Sequence, residues 1–316
     1  MEQSLVMLAL LQLLNEESDK SLDKETLLSQ LGITEELLKI CIEQLALLNC
    51  KIKVEGETLE LEDPVDLLDQ NYIYRHVKGR GRVEVLPSVD STNTYMLNNS
   101  SFLVSGDTVI AEIQTAGRGR RGGKWHSSLG KQLTLSICYE FDSLDKIEGL
   151  SVGIGVAVAK AVEKLVEQDV LVKWPNDIYK HNGKLGGILI ETKMANNKVK
   201  AIIGIGLNVY KDHFAQLKRE YASICENIQE GFSRNELAIE IINHVKEVCA
   251  QFALGDRNEV IESFKDRDAL VGRNIQVQNE QGTFEGESVG VDKTGALLLE
   301  NNGQVLKIRS GHISFF

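Results

Sequence analysis

Residues 117–125 read Gly-Arg-Gly-Arg-Arg-Gly-Gly-Lys-Trp, and they restrict the folds that this chain can adopt. The segment formally matches the Gly-x-Gly-x-x-Gly fingerprint of dinucleotide-binding domains, which lies between a strand and a helix. A predicted strand at 108–114 precedes it, but residues 132–141 after it also have the pattern of a strand. The end of the segment resembles a P-loop, yet Trp125 stands where a Ser or Thr would hold magnesium. Neither of these common nucleotide-binding folds is supported.

The same segment combines glycine with positive charge. Three arginines and a lysine supply the charge, and no acidic residue occurs between Glu112 and Glu140. Glycine lets the backbone approach a ligand closely and exposes its N–H groups. Guanidinium groups bind phosphate or carboxylate with two parallel hydrogen bonds. We therefore predict a loop that binds an anion and becomes ordered around it; the alternative is a solvated basic loop.

The elements around this segment mix strands and helices without regular alternation. Strands are predicted at 81–86, 108–114, 132–141, 170–173, 184–193 and 199–209. Helices are predicted after Ser91 and at 144–167, 233–252 and 257–268, and a polar loop at 210–220. This order predicts an α+β domain with helices on one face of a sheet, rather than a doubly wound fold.

Residues 1–63 are predicted to form three helices followed by a hairpin. The helices are expected at 3–15, at 22–31 with Ser21 as the N-cap, and after Thr34, which is a good N-cap. Residues 51–62 alternate between apolar and polar side chains around Gly56, which predicts a hairpin. Helix, turn, helix and hairpin are the outline of a winged helix. The alternative is a small helical cap with no nucleic-acid role.

This N-terminal part is strongly acidic. It holds 5 Lys and Arg against 14 Asp and Glu, in a chain whose net charge is −11. The third helix begins Thr34-Glu35-Glu36, and Lys39 is its only basic residue. Carboxylates oppose the counterion release that drives DNA binding. The sequence therefore predicts the shape of a DNA-binding domain without its electrostatic footprint.

Residues 270–316 show a third pattern, with short strands at 275–277, 284–291, 297–300 and 305–308 separated by turn signals. This pattern predicts a small β-barrel. We place the three domains at 1–64, 65–269 and 270–316.

Composition excludes several classes of protein. The chain has 316 residues, 42% of them hydrophobic and 26% charged, with only 3 prolines, which is typical of a soluble globular protein. The apolar run near the start, at 6–11, is too short to span a bilayer. No Lys or Arg precedes Lys20, so a secretory signal is not expected. Five widely spaced cysteines indicate reduced thiols and a cytoplasmic location.

Two clusters offer groups for a phosphate or a metal ion. The first, at 173–177, reads Lys-Trp-Pro-Asn-Asp. Asp177 could hold Mg²⁺ and Asn176 could bond a phosphate, whereas the alternative is an ordinary turn anchored by the tryptophan. The second is Lys184, which precedes a strand with paired glycines. A lysine there could polarise a carboxylate or an α-phosphate; the alternative is a solvated surface charge.

A further cluster, Asp90-Ser91-Thr92-Asn93, lies between a predicted strand and a short helix. Its hydroxyl and amide groups suit hydrogen bonds to a small polar head group such as a urea. The alternative is a simple helix N-cap, which is the commoner use of these residue types.

Taken in order, these clusters resemble the motifs of biotin protein ligases, in the bacterial bifunctional form that also represses the biotin operon. The matching segments are 90–93, Gln114 with 116–122, 173–177, 184–189 and 204–208. The resemblance covers essentially the whole chain. It implies an N-terminal winged helix-turn-helix, a central mixed-sheet catalytic domain like that of class II synthetases, and a C-terminal SH3-like β-barrel.

The resemblance also implies a two-step reaction. ATP and biotin, with Mg²⁺, first form biotinyl-5′-adenylate, which a lysine of a biotin carboxyl carrier protein such as that of acetyl-CoA carboxylase then attacks. The first step joins two anions, so the site must neutralise charge and align them. The implied partners are a second copy, which forms a homodimer through the strand at 188–193, and operator DNA, read from about Lys24 to Glu43. The related alternative, a lipoate or octanoate ligase, would lack the Arg-rich loop.

Residue roles follow from the resemblance alone. Lys184, Arg118 and Arg120 would be catalytic, with Arg120 retaining the adenylate, and Asp177 would bind Mg²⁺. The biotin-binding set would be Ser91, Thr92, Asn93, Gln114, Arg118, Gly119, Arg120, Lys184, Gly186 and Gly204. The set for ATP and the adenylate would be Arg118, Arg120, Arg121, Trp125, Lys173, Asn176 and Asn208.

The chain departs from the family pattern at two places. Its acidic N-terminal domain is either a repressor domain or an intramolecular module that tunes biotin affinity without touching DNA. These alternatives differ in whether one face gathers the lysines Lys20, Lys24, Lys39, Lys51 and Lys53. The final residues, 313–316, include no basic residue, whereas relatives can have an arginine near the nucleotide there.

Overall fold

The computed structural model describes residues 3–181, 183–195, 197–212 and 221–315, so most of the loop predicted at 210–220 lies outside the described residues. The N-terminal unit consists of α1 (Gln3–Glu16), β1 (Ser21–Asp23), α2 (Lys24–Leu31), α3 (Glu35–Leu47), β2 (Ile52–Glu55) and β3 (Thr58–Leu61). Its strands form an antiparallel sheet in the order β1-β3-β2.

The second helix differs from the prediction at its start. Ser21, which was expected to cap this helix, lies in β1 because this segment pairs with β3. Asp23 caps α2 instead, by accepting a hydrogen bond from the backbone N–H of Thr26. Thr34 caps α3 as predicted. Gly32 joins the two helices with a φ of 62°, in the left-handed region that favours glycine.

The N-terminal unit packs against the rest of the chain. Leu10 and Leu14 of α1 are fully buried in a core that also includes Leu129, from the loop that precedes the sixth strand. The side chain of Asn15 donates to the backbone carbonyl of Val65 at 2.7 Å and accepts from its N–H at 3.2 Å. Apolar burial and these hydrogen bonds therefore attach the unit to the central part.

The central part is built on a seven-stranded mixed sheet. Its first elements are α4 (Gln70–His76), β4 (Val83–Val89), α5 (Thr92–Asn98), β5 (Thr108–Gln114), β6 (Gln132–Phe141) and α6 (Leu150–Leu165). There follow β7 (Leu171–Lys173), β8 (Asp177–Lys180), β9 (Gly183–Ala195), β10 (Lys198–Asn208), α7 (Arg234–Leu254) and α8 (Asn258–Lys265). The strand order is β4-β5-β6-β10-β9-β8-β7, and β4 runs parallel to β5 while the other neighbours are antiparallel. This confirms the predicted α+β class.

The two faces of the sheet are covered differently. Helices α4, α6, α7 and α8 share one core with the sheet. Helix α5 lies on the opposite face, where Met96 packs with Val109, Cys138 and Ile202. The expectation of helices on one face only is therefore wrong for α5. This short helix matters because it carries the predicted head-group residues.

The glycine-rich helix α6 packs closely against its neighbours. A Cβ on Gly155 would lie 2.6 Å from a methyl group of Val172, so only glycine fits this contact. The helix starts after Gly149, whose φ is 75°, and not at residue 144 as predicted; residues 144–147 form a separate short turn. Within the described ranges, no helix is both long and apolar enough to cross a membrane.

The C-terminal part is a five-stranded antiparallel sheet. Its strands are β11 (Asn274–Asn279), β12 (Gly282–Val291), β13 (Leu297–Asn301), β14 (Gln304–Ile308) and β15 (His312–Phe315). The order is β14-β13-β12-β11-β15, and among the described residues β14 and β15 do not pair with each other. The sheet is therefore open, and the predicted closed barrel is not found.

All five cysteines of the chain are free and buried. Burial raises the pKa of the Cys50 thiol to about 11 and that of Cys138 to about 12. The five thiols are therefore protonated at neutral pH and form no disulfide framework, as the sequence predicted.

Candidate active site

A cavity of about 390 Å³ lies on the α5 side of the central sheet. It is lined by the start of α5, by the segment 117–125, by residues of β6, β8, β9 and β10, and by the turn before β15. The predicted residues that it brings together are Ser91, Thr92, Asn93, Gln114, Arg118, Gly119, Arg120, Arg121, Trp125, Asn176, Asp177, Lys184 and Gly204. The cavity thus collects polar groups from segments far apart in the sequence.

One end of the cavity is built from hydroxyl and amide groups. Ser91, Thr92 and Asn93 are each 3% exposed. Ser91 occupies the N-cap position of α5 but makes no side-chain capping bond, so the simple N-cap interpretation does not hold. The backbone N–H of Thr92 donates to Oε1 of Gln114 at 2.8 Å, and the Thr92 hydroxyl lies 3.2 Å from the same oxygen. These contacts hold the start of α5 against the end of β5.

Asn93 is held on both sides of its amide. Its Nδ2 donates to the carbonyl of Leu189 at 3.1 Å and to Glu191 at 3.0 Å. Its Oδ1 lies 2.6 Å from the hydroxyl of Ser136. A Cβ on Gly204 would lie 2.3 Å from this oxygen, so β10 needs glycine where Asn93 crosses it.

The Arg-rich segment folds into a tight hairpin. The N–H of Gly119 donates to the carbonyl of Gly123 at 2.7 Å, and the N–H of Trp125 donates to that of Gly117 at 2.9 Å. Arg121 has a φ of 53°, which is left-handed and unfavourable for a residue other than glycine. The hairpin backbone is therefore closed by its own hydrogen bonds, and ordering around an anion stays a prediction.

Arg118 and Lys184 are paired with carboxylates of the chain. Arg118 makes two hydrogen bonds to Glu191, from Nη2 at 2.7 Å and from Nη1 at 3.0 Å. Lys184 Nζ lies 2.7 Å from Oδ1 of Asp177. Any anion that uses Arg118 or Lys184 must share or replace these partners.

Arg120 is held by an amide. Its Nη1 donates to Oδ1 of Asn176 at 2.7 Å. Burial lowers the pKa of the Arg120 guanidinium from its usual value, and the neighbouring Arg121 lowers it further. This is the electrostatic situation of a cation that an additional anion would stabilise.

Trp125 lies against the backbone of β10. A Cβ on Gly206 would lie 2.6 Å from the indole ring, so glycine is required beneath it. The indole Nε1 is buried and has no hydrogen-bond partner among the described residues. A ligand acceptor would satisfy this donor.

Three predicted site residues do not line the cavity. Gly186 faces Leu207, whose side chain would lie 2.4 Å from a Cβ there. The ammonium of Lys173 lies 5.3 Å from the centre of the Tyr179 ring. Asn208 donates to the backbone carbonyl of Lys184 at 3.4 Å. Asn208 therefore supports Lys184 from behind and does not contact the cavity.

Sequence reasoning missed other residues of this site. Lys124, Gly187, Gly206 and His312 line the cavity, and His312 comes from the C-terminal sheet. Glu191 binds two of the predicted residues. Glu191 could have been detected, because it is a charged residue directly after the apolar run 188–190 of a predicted strand. No comparable signal marked His312.

The metal prediction rests on a single carboxylate. Among the described residues, no group of three or more His, Cys, Asp and Glu side chains could hold a metal ion. Asp177 lines the cavity but is paired with Lys184. Mg²⁺ commonly binds through one or two carboxylates together with substrate phosphates, so the residues fit a metal ion that arrives with a nucleotide.

The lysines of the N-terminal unit are largely neutralised by acidic neighbours. Lys24 lies 3.0 Å from Glu35 and 2.9 Å from Glu57. Other ion pairs of this unit are Lys51 with Glu62 at 3.8 Å and Lys53 with Glu55 at 2.7 Å. Lys20 donates to the carbonyl of Asn15. Three of the five lysines therefore lie beside carboxylates, whereas Lys20 is bonded to a backbone carbonyl and Lys39 is exposed on α3.

Comparisons with known proteins identify the family of this chain. Residues 85–208 match the biotin/lipoate A/B protein ligase family, and residues 270–315 match the biotin protein ligase C-terminal domain. The bifunctional ligase/repressor BirA of Escherichia coli (strain K12) is 35% identical over 270 residues, which are 83% of this chain and 82% of that protein. The protein of the same description from Bacillus subtilis (strain 168) is 32% identical over 260 residues, 78% of this chain and 75% of that protein.

Solved structures show the same fold. The biotin protein ligase from Aquifex aeolicus in complex with biotin and ATP has a TM-score of 0.63 and 25% identity, over 73% of this chain and 97% of that chain. The fold and the cavity therefore define a member of the biotin and lipoate ligase class. The identity to the ligase/repressor proteins is more specific, and the chain belongs to the biotin protein ligase family of enzymes.

Proposed function

We propose that this chain is an ATP-dependent biotin ligase that forms biotinyl-5′-adenylate and transfers biotin to a lysine of a biotin carboxyl carrier protein. The observation that carries the proposal is one cavity with an amide and hydroxyl end, at Ser91 to Asn93, and a cationic end, at Arg118 to Lys124. The first end suits a urea head group and the second suits a carboxylate and phosphates. A related enzyme has been solved with both biotin and ATP.

At the head-group end, Thr92, Asn93 and Gln114 form one hydrogen-bonded set with fixed donors and acceptors. Ser91 adds a hydroxyl that the helix does not use for capping. Such preorganisation reduces the cost of ordering side chains on binding. We infer that these four residues bind the urea ring of biotin. Gly204 supports them by leaving room for Asn93.

At the cationic end, Lys184 would contact the biotin carboxylate and the α-phosphate. Its present partner is Asp177, at 2.7 Å, so a ligand anion would take the place of that carboxylate. Asp177 would then be available to Mg²⁺, which supplies further neutralisation of phosphate charge when it binds with ATP. Asn208 would act by holding the Lys184 backbone and not by touching the nucleotide.

The hairpin 117–125 would cover the adenylate. Arg120 and Arg121 line the cavity, and Trp125 offers an indole ring and an unsatisfied N–H. Covering the mixed anhydride would exclude water and prevent its hydrolysis before the carrier lysine attacks. The roles proposed for Arg118 and Arg120 are to neutralise charge there and to retain the intermediate.

Biotin-dependent exchange of labelled pyrophosphate into ATP tests this function. The full chain should catalyse exchange with biotin and should label the lysine of a purified carrier domain. Exchange that depends on lipoate or octanoate, with none on biotin, would instead establish the related ligase activity.

A second candidate function is repression of the biotin operon in response to the adenylate. The three helices and hairpin of the N-terminal unit, and the ligase/repressor description of the relatives, favour it. The paired lysines oppose it, and the alternative is a ligase whose winged helix no longer binds DNA. Titration of biotin-operon DNA with the full chain, with and without biotin plus ATP, distinguishes the repressor from a ligase that does not bind DNA. Binding that requires both ligands supports repression, and its absence in an active enzyme supports the alternative.

We further propose a homodimer that forms when the adenylate binds. Strand β8 pairs with β9 only through Gly183–Gly187, so the remainder of β9 has β10 on one side and no strand partner on the other among the described residues. A second copy could extend the sheet at this edge. The domain boundaries at 64 and 269 and a cytoplasmic location also remain proposals, supported by the three separate sheets and the reduced thiols.

A further inference from the structure

We propose that Glu191 is a positioning residue for adenylate formation, which acts by orienting Arg118 and Asn93 toward biotin. The inference rests on the proposed ligase function, because all three residues belong to the same cavity region. Arg118 lies in the hairpin and Asn93 at the start of a short helix, and the side chains of both are bonded to Glu191 of β9.

Both oxygens of the Glu191 carboxylate are used. Oε1 accepts from Nη2 of Arg118 at 2.7 Å, and Oε2 accepts from Nη1 of Arg118 at 3.0 Å and from Nδ2 of Asn93 at 3.0 Å. Two parallel bonds between a guanidinium and a carboxylate combine strength with a defined orientation. The Glu191 side chain is 24% exposed and that of Arg118 is 43% exposed, so water screens this pair only in part. One carboxylate thereby joins β9, the hairpin and α5.

For Arg118, the consequence is a fixed direction. Glu191 accepts one hydrogen bond from each Nη group of Arg118. The guanidinium retains further N–H donors for a ligand. Without Glu191, Arg118 would keep a 3.3 Å hydrogen bond from Nη1 to the Thr94 hydroxyl and would sample more rotamers. Ordering the side chain on binding would then weaken the affinity for the ligand. Glu191 therefore lets the cavity present a guanidinium that is already oriented.

For Asn93, the consequence is the choice between two amide orientations. Nδ2 is bound by Glu191 and by the carbonyl of Leu189, both of which accept hydrogen bonds. A flipped amide would bring Oδ1 against these two acceptors, which is repulsive. Oδ1 therefore stays beside Ser136 and Gly204, where it is an acceptor that suits the N–H of a urea.

Glu191 and Asp177, the two carboxylates of this region, bind different partners. Asp177 pairs with Lys184 and lies where the phosphates are proposed to bind, whereas Glu191 pairs with two residues of the biotin set. Loss of the Glu191 charge should therefore affect biotin more than ATP. This difference separates a positioning role from general support of the fold.

The test is Glu191→Gln in the full chain, measured by pyrophosphate exchange. A glutamine keeps one acceptor oxygen and places an NH2 group where the second carboxylate oxygen stood, so it cannot accept the two parallel hydrogen bonds of Arg118 together with that of Asn93. We expect KM for biotin to rise about tenfold, the size of one coupled polar interaction, while KM for ATP changes less than about twofold. Glu140→Gln is the matched control. Like Glu191, Glu140 is a carboxylate of the central sheet that pairs with a basic residue, but its partner is Lys200, at 3.3 Å, and the pair lies outside the cavity. It should leave both KM values unchanged.

A double-variant cycle tests whether Glu191 acts through Arg118. In an Arg118→Ala background, Glu191→Gln should raise KM for biotin by about threefold or less, since only the Asn93 contribution remains. Glu191→Asp keeps the charge but shortens the side chain, so it should change KM in the same direction and serves if the glutamine variant fails to fold.

Several results would overturn the proposal. An unchanged KM for biotin in folded Glu191→Gln, an equal rise in both KM values, or fully multiplicative effects in the cycle would each do so. Failure of the proposed function is a separate observation, because the unmodified chain would then show no biotin-dependent exchange.

Discussion

Gly204→Ala should weaken biotin binding through a clash with Asn93. A Cβ at this position would lie 2.3 Å from Oδ1 of Asn93, so the Asn93 side chain must move. Its movement would break hydrogen bonds to Leu189 and Glu191, at 3.1 and 3.0 Å, and the 2.6 Å contact with Ser136. At about 1 kcal/mol each, these three contacts lower the stability of the fold by roughly 3 kcal/mol. The Kd for biotin should rise about tenfold, because the displaced Asn93 no longer makes its one hydrogen bond to the ligand.

Calorimetric titration of biotin into the purified variant measures this loss. Gly155→Ala is the control, because a Cβ there would make a comparable clash, 2.6 Å from Val172, outside the cavity. It should bind biotin within about threefold of the unmodified chain. If the clash is the cause, Asn93→Ala combined with Gly204→Ala should bind no worse than Asn93→Ala alone. A Gly204→Ala variant with unchanged affinity would refute the reasoning.

Three further outcomes follow from the structure. Arg120→Gly should release the adenylate and raise biotin labelling of bystander proteins; equal labelling would show that Arg120 does not retain it. DNA binding should have a shallow salt dependence, because Lys24, Lys51 and Lys53 of the N-terminal unit are already paired with carboxylates. The slope of log K against log salt should be below about 4 in magnitude, and a slope near 8 would contradict this. Burial raises the pKa of Asp292, but hydrogen bonds from Thr294 and Lys307 lower it by more, so that the pKa falls to about 2. Its ionised form therefore stabilises the fold above about pH 4, and this stabilisation is lost as the pH falls toward 2. Asp292→Asn should accordingly reduce the unfolding free energy at neutral pH by about 1–2 kcal/mol, with a difference that vanishes in acid-titrated melts.

Local signals in the sequence predicted local structure well. Thr34 caps α3 and Gly56 turns the hairpin because capping and left-handed turns depend on a few adjacent residues. Ser21 was assigned wrongly because a distant segment, β3, supplies a pairing partner that outweighs its capping preference. The motif at 173–177 does contain a turn, at 174–176 between β7 and β8, but the strand β8 that follows it was not predicted.

The same difference between local and long-range contacts applies to the site. The clusters at 90–93, 117–125 and 173–177 were predicted to act together, and they do line one cavity. Their mutual contacts could not be predicted, because Arg118 and Glu191 are 73 positions apart and only the sheet register brings them together. Lys173 has the right motif but does not line the cavity; it lies on β7, at the edge of the sheet, with its ammonium 5.3 Å from the centre of the Tyr179 ring.

The buried cysteines have a practical consequence. All five thiols are enclosed and held protonated, so thiol-directed dyes should leave the folded chain unlabelled. A cysteine introduced at Lys124, on the exposed side of the hairpin, would then carry a spectroscopic reporter in a uniform position. Fluorescence from that single site would follow closure of the hairpin over its ligands in real time, without any background labelling to remove.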